Sequence, residues 1–407
     1  MINFNGLVIK IASRCNLNCS YCFMYNLGDE TYKLQPKFMK EETVDDILLK
    51  AKNYLKKYNK KQFKFLFHGG EPLLMKQSFF ATFCEKAKVI QEELPDMKLD
   101  FVVQTNGVLI DKSWCDLFNK YKINVSISID GAKEAHDMYR KDHAGKGSYD
   151  EVMKGAMMAK KELGYLNLVS VININESPKE NYEAFRKIES TAINYLLTDY
   201  TYDNYPYESN QTPTADWLIE LFDLWVNDTR KRFVPFFVGM MKKLLGISNS
   251  EHNEVTLLVI ETNGEIEVID SMKACGNAFT KSNLTIRENE ISDIEETSLG
   301  KLYFNESTNK LCKKCEECPI KNVCKGGRLV HRYSSKNGFN NPSVYCRDLV
   351  KIISHIQGYL IDQHSKIYKQ EEVSRMNFQE IIDYLDHLNI NEAKQEIQYR
   401  ELEEFKY

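Results

Sequence analysis

Six short runs rich in β-branched and aromatic residues alternate with longer amphipathic stretches over the first 200 residues. The runs lie at 7–13, 63–70, 100–107, 124–131, 166–175 and 193–200. Helical patterns fill the intervals at about 40–58, 77–93, 112–121, 148–163 and 179–190. Strands separated by helices form parallel sheets through βαβ crossovers. Six such units with no returning strand predict an α/β fold, a partial (β/α)6 barrel rather than a closed eight-fold one. In barrels of this kind the chemistry gathers at the C-terminal ends of the strands. The loops after the strands carry Cys15–Cys22, Gly69–Pro72, Gln104–Gly107 and Ser128–Gly131. All four candidate sites therefore belong to one rim.

Beyond the barrel, "ESNQTPTADWLIELFDLWVNDTRKRF" (208–233) reads as a helix entered through Thr-Pro-Thr. Residues 251–273 read as a β-hairpin about Asn263-Gly264, a strong two-residue turn signal. A cysteine-rich, turn-rich segment covers 311–346, and the chain after Cys346 is helical, polar and acidic. The expected division is 1–233 for the barrel and its last helix, 234–350 for the cysteine-rich domain, and 351–407 for a helical tail. A net charge of −4 points to neither a nucleic-acid binder nor a polybasic membrane anchor. No signal peptide is recognisable, and no apolar run approaches the ~18 residues of a membrane span. A cytoplasmic protein keeps its thiols reduced, so the eleven cysteines read as metal ligands rather than disulfides. Cys84 and Cys115 stand apart in amphipathic patterns and read as buried structural thiols.

The stretch "RCNLNCSYC" places Cys15, Cys19 and Cys22 at spacings of four and three in a polar loop. Three sulfurs without a neighbouring histidine could hold zinc, but they match a [4Fe–4S] cluster better. Three thiolates leave one of its irons open to a small molecule. Here the sequence resembles the radical S-adenosylmethionine (SAM) superfamily. The resemblance implies that Cys15, Cys19 and Cys22 hold the cluster and that Tyr21 lies near the adenine. It places the methionine amino group at "GGEP", with Gly69, Gly70 and Glu71. Asn106, Ser128, Asp130 and Arg140 become further SAM contacts, Arg140 meeting the carboxylate with its planar fork.

The second cluster, Cys315-x2-Cys318-x5-Cys324 followed by Cys346, offers four thiolates for one auxiliary [4Fe–4S] cluster, zinc being the alternative. The spacing resembles the SPASM domain of peptide-modifying radical SAM enzymes. It departs from the seven-cysteine form, because Gly327 and Arg328 follow Cys324 where a further cysteine would stand. Cys275 and Cys312 are then free or peripheral thiols, or remnants of an incompletely ligated second cluster.

The segments "IETNGEIEVIDSMKACG" and "CKGGRLVHRYSSKNGFNNPSVYCRDLVKIISHI" resemble maturases that form cyclophanes in ribosomal peptides. Across roughly 7–357, that resemblance implies a ribosomal precursor peptide as substrate, crosslinked from an aromatic ring to a β-carbon two residues later. It also implies a reductant such as flavodoxin or ferredoxin. With the first strand starting within ten residues of Met1, no winged-helix leader-binding domain is expected before it. Asp199 and Asp203, after the sixth strand, are candidate bases by position. Alternative readings are anaerobic sulfatase maturation, in which a Cys or Ser becomes formylglycine, and peptide thioether formation or epimerisation. A non-enzymatic electron carrier or peptide chaperone is a further alternative, disfavoured because a carrier needs no open iron.

Overall fold

The strand residues sort themselves by alternation. In β2 (Gln62–Gly69) Phe63, Phe65 and Phe67 are fully buried, while Lys64, Leu66 and His68 between them are only half-buried. Successive side chains of a strand point to opposite faces. Phe65 and Phe67 therefore reach α2 (Gln77–Glu93), where both rings meet Phe83 edge-on at 5.2 and 5.0 Å. His68 faces the other way, into the barrel. The same alternation in β3 (Lys98–Thr105) and β4 (Ile123–Ser128) turns Leu99, Phe101, Val103, Val125 and Ile127 outward to the helices. It leaves Gln104 and Ser128 on the inner face.

The computed structural model describes residues 2–208, 210–247, 256–304, 310–364 and 373–388. With β1 (Phe4–Ala12), β5 (Asn167–Val171) and β6 (Ala192–Leu196), six parallel strands stand in sequence order, as the alternation predicts. Helices α1 (Glu41–Lys57), α3 (Lys112–Tyr121), α4 (Lys133–Tyr139), α5 (Tyr149–Leu163) and α6 (Pro178–Lys187) fill the crossovers with α2. α7 (Pro213–Asn227) and α8 (Pro235–Leu244) follow, α7 being shorter than the helix expected over 208–233.

The hairpin is real but is not free-standing. β7 (Thr256–Ile260) pairs in parallel with β1, and the two-residue β8 (Ile266–Glu267) pairs antiparallel with β7. The sheet therefore has eight strands in the order β6-β5-β4-β3-β2-β1-β7-β8. Its ladder joins the expected barrel to the expected cysteine-rich domain.

Short helices α9 (Ser298–Phe304), α10 (Lys313–Glu316) and α11 (Lys321–Cys324) precede α12 (Cys346–Gln363), which packs against α7 and α8. α13 (Phe378–His387) closes the described chain, and residues 389–407 lie outside the described residues. Among the described residues no helix is long and apolar enough to cross a membrane. Phe67 touches Phe80 and Phe83, each at 5.0 Å, with no exposure of its own. Phe67→Ala is expected to cost about 3–5 kcal/mol, seen as a clear drop in the anaerobic thermal unfolding midpoint.

Candidate active site

One cavity opens at the C-terminal ends of the parallel strands. Its walls include Cys15, Cys19, Tyr21, Cys22, His68, Gly69, Gly70, Asn106, Ser128, Asp130, Arg140 and Asp199. Every predicted SAM or cluster residue of the barrel lies on this wall except Glu71, and Glu71 holds the wall together. It is buried, accepting from Leu73 N (2.9 Å), Thr105 Oγ1 (2.7 Å) and Asn106 N (2.8 Å). Burial raises the Glu71 pKa, and the three donors oppose the shift. Its own N–H donates to Arg14 O at 2.9 Å. Glu71 thus ties the ends of β2 and β3 to the root of the cysteine loop, with its oxygens spent on the protein itself.

The glycines have a similar reason. A Cβ on Gly69 would stand 2.1 Å from Ala12 O, and one on Gly70 2.2 Å from Arg14 O and 2.1 Å from Tyr25 Oη. The closest approach is made by the chain's own cysteine loop, so glycine is required before any ligand is considered. The loop is pinned on its other side by Asn18 N to Lys141 O (2.7 Å), Ser20 N to Tyr139 O (3.1 Å) and His143 Nε2 to Cys15 O (2.9 Å). Asn106 Nδ2 reaches Asn16 Oδ1 at 2.8 Å and the Cys15 sulfur at 3.8 Å.

Burial pushes the Cys15 and Cys22 thiols up to about 12. Such sulfurs become thiolates when a cation displaces their protons. Three sulfurs lining one cavity suit a [4Fe–4S] cluster, which three thiolates can hold with one iron left open.

Opposite the cysteines, Tyr21 Oη donates to Asp130 and accepts from Arg140 Nη1 at 2.8 Å. Tyr21 is therefore locked into an acid–base triangle, its hydroxyl committed to protein partners. Asp130 also accepts from Val171 N at 2.9 Å, and burial raises its pKa against the pull of Arg140. Arg140 Nε is buried with no hydrogen-bond partner. An orphaned guanidinium edge beside a cavity suits a carboxylate from a bound molecule.

Two features escaped the sequence reading. Lys10 is fully buried in β1, bonded to His68 Nδ1 (2.8 Å) and to Asp270. Glu176 accepts from Ala132 N (2.7 Å) and Asn181 Nδ2 (2.8 Å) behind the Ser128–Gly131 turn. A Cβ on Gly131 would fall 2.0 Å from Glu176 Oε2. Burial raises the Glu176 pKa to about 7. Only the partners reveal these roles, and they lie 45 or more positions away in sequence for Gly131 and farther for Lys10.

The two candidate bases part company. Asp199 lines the cavity, paired through Oδ1 with Arg328 Nη1 at 2.6 Å. Among the described residues no hydrogen bond reaches its Oδ2, and burial raises its pKa to about 6 although Arg328 pulls it down. Asp203 is absent from the cavity wall, and its carboxylate caps Ser335 N (3.0 Å) and Ser335 Oγ (3.0 Å).

Cys315, Cys318, Cys324 and Cys346 line one separate small pocket under Leu385 of α13. Cys312 lies beside them, its charge felt at Cys315, Cys318 and Cys346, whereas Cys275 lies apart, near Asp199 and Asp203. The "GGRLVHRY" and "FNNPSVYC" segments knit to each other, Val344 N to His331 O (2.8 Å) and Asn341 Nδ2 to Arg332 O (3.0 Å). None of their residues borders the cavity holding Cys15, Cys19 and Cys22. Arg328 of the first segment reaches that cavity through its pairing with Asp199 on the wall.

Comparison with known proteins agrees with this cavity. Residues 9–191 match the model of the Radical SAM superfamily, and the chain is a radical SAM enzyme. It is 27% identical to a cysteine-type anaerobic sulfatase-maturating enzyme of Clostridium perfringens (strain 13 / Type A), across 89% of this chain and 99% of that protein. It is 25% identical to a serine-type anaerobic sulfatase-maturating enzyme of Bacteroides thetaiotaomicron, across 90% of this chain and 92% of that one. The solved structure of native anSMEcpe with bound AdoMet superposes with a TM-score of 0.74 at 26% identity, covering 89% of this chain and 99% of that chain. These relatives match the sulfatase-maturation alternative rather than the cyclophane resemblance.

Arg140→Lys keeps the charge but loses the planar fork. The variant is expected to bind SAM at least about tenfold more weakly, an estimate for one lost charge-assisted hydrogen bond, measured by anaerobic calorimetry.

Proposed function

We propose that this enzyme oxidises the β-carbon of a Cys or Ser residue in a polypeptide to an aldehyde. Correspondence along nearly the whole length of a cysteine-type sulfatase-maturating enzyme carries the reading. The carboxylate of Asp199, with one unbonded oxygen on the cavity wall, supports it. A reduced [4Fe–4S] cluster held by Cys15, Cys19 and Cys22, with SAM bound, supplies one-electron abstraction of a hydrogen atom from carbon.

The chain's own residues do the rest. Arg140, steadied by Tyr21 and Asp130, holds the methionine carboxylate. The ties from Glu71 and Asn106 fix the loop on which the cysteines sit. Removing two hydrogens from a Cys or Ser side chain takes away two electrons and releases two protons or their equivalents; Ser gives the aldehyde directly, whereas Cys gives a thioaldehyde that takes up water and releases hydrogen sulfide to reach it. Asp199 Oδ2 takes the proton that does not leave as a hydrogen atom. A base whose pKa lies near the working pH is well matched to that task. Cys315, Cys318, Cys324 and Cys346 would hold an auxiliary [4Fe–4S] cluster, which would supply a one-electron acceptor, and a small cytoplasmic carrier such as flavodoxin or ferredoxin would exchange electrons with the protein.

Four outcomes check this. Reconstituted protein is expected to hold about eight irons, falling to about four with no 5′-deoxyadenosine formed when Cys15, Cys19 and Cys22 are all alanine. A cysteine-containing sulfatase peptide is expected to become about 18 Da lighter and hydrazide-reactive, by exchange of sulfur and two hydrogens for oxygen. A peptide about 2 Da lighter, unreactive to hydrazide and missing fragments within three residues would instead establish the cyclophane. Product formation is expected to fall as pH drops below about 6, where Asp199 is protonated. Asp199→Asn should form 5′-deoxyadenosine with at least about tenfold less aldehyde, the loss typical of a positioned base.

A further inference from the structure

The pocket of Cys315, Cys318, Cys324 and Cys346 is roofed by a helix that lies outside the stretch carrying the SPASM resemblance. α13 lays Ile381, Ile382 and Leu385, each under one-tenth exposed, onto Ile320, Tyr345, Leu349, Val350 and Ile353. Leu385 borders the four sulfurs themselves. The neighbouring Asp386 latches the helix down, with Oδ1 3.0 Å from Lys314 Nζ and Oδ2 on Arg347 Nη2. Lys314 precedes Cys315, and Arg347 follows Cys346. One carboxylate thus grips the residues flanking two of the four thiols.

The face beneath is basic in a chain whose net charge is −4. Besides Lys314 and Arg347, Lys243, Lys313 and Lys325 are exposed there and form no ion pair among the described residues. Lys243 stands close enough to act on Cys324, and Lys325 follows that cysteine directly. Lys321 is paired with Glu316 at 3.6 Å, and Glu316 and Glu317 are the exposed acids among them. Of the acids of α13, Asp386 is the one that reaches this face, while Glu380 and Asp383 bond within their own helix. The surface that fits here is therefore visible in the molecule: an apolar stripe edged by a carboxylate. Exposed ion pairs of this kind are worth little individually and yield to competitors.

We propose that the face around the auxiliary cysteines is the docking site of an acidic one-electron carrier protein, and that α13 covers it until the carrier displaces the helix. Complementary charge steers such a carrier and sets its salt dependence. The inference rests on the auxiliary cluster proposed above, so iron content is measured alongside.

The test titrates the reconstituted full-length protein with flavodoxin and records affinity and the rate of electron transfer from its hydroquinone. Asp386→Asn removes both latch contacts and should raise flavodoxin affinity at least threefold. The triple change Lys243→Glu, Lys313→Glu and Lys325→Glu should lower affinity at least tenfold and flatten its dependence on salt. Methyl viologen radical cation, a small carrier of the opposite charge, should react faster with Asp386→Asn and no slower with the triple variant. Unchanged flavodoxin affinity in the triple variant, or weaker affinity in Asp386→Asn, overturns the docking site while leaving the auxiliary cluster standing. A wild-type protein with about four irons overturns both, since one cluster then accounts for all the metal. If Asp386→Asn assembles no auxiliary cluster, Leu385→Ala is measured instead, and its failure to assemble one shows α13 to be a fixed part of the site and ends the proposal.

Discussion

The Glu71 carboxylate is the tie on which the active site depends. Its oxygens collect the Leu73, Thr105 and Asn106 donors from two neighbouring strand ends, and its N–H reaches back to Arg14. A buried carboxylate with three donors is stable because each lone pair it takes from water is repaid within the protein. The cysteine loop has no regular structure of its own to hold it. It inherits rigidity from this tie, from the Asn106–Asn16 bond, and from the 139–143 strap across its other side. A loop meant to carry three sulfurs at fixed spacing needs such support, because loop positions are otherwise the least precise in a fold.

How legible this was depended on the range of the interaction. The six strands and their order could be read because alternation is local and the crossover rules leave few topologies. Cys15, Cys19, Cys22, Gly69, Gly70, Ser128, Asp130 and Arg140 share one cavity because parallel strands deliver all their C-terminal loops to one rim. β7 was recognised as a strand, but its partner was not, since nothing local to Thr256–Ile260 points to β1. Lys10 looked like an ordinary polar position in an alternating strand. Its burial depends on His68 and Asp270, 58 and 260 positions away. Glu176 and Arg328 were invisible for the same reason. Asp203 looked equivalent to Asp199, and only the path of the chain after β6 separates the cap from the cavity residue.

That path also joins the surroundings of the two cysteine sites. After β6 the chain runs along the cysteine-rich segment, with Tyr202 N on Tyr333 O (2.9 Å), Asp203 on Ser335 and Tyr345 Oη on Thr198 O (3.0 Å). Arg328, four residues past Cys324, extends from that segment to Asp199 on the wall of the first cavity. His331 is buried beside them, its ring against Tyr345. The join is polar and specific rather than merely greasy, so the second site is held in a fixed relation to the first.

The pairing of β7 with β1 has a consequence for how the molecule is made. During synthesis, the strand bearing the cysteine loop leaves the ribosome well before β7, so one of its two edges stays bare until residue 260 has emerged. Non-local pairings of this kind form late, and an uncovered strand edge is an invitation to foreign strands. The nascent barrel therefore spends most of its synthesis as an open-sided sheet with an apolar outer face. The order of events is set by topology: the barrel edge is sealed first, and the thiols beyond residue 311 can gather only afterwards.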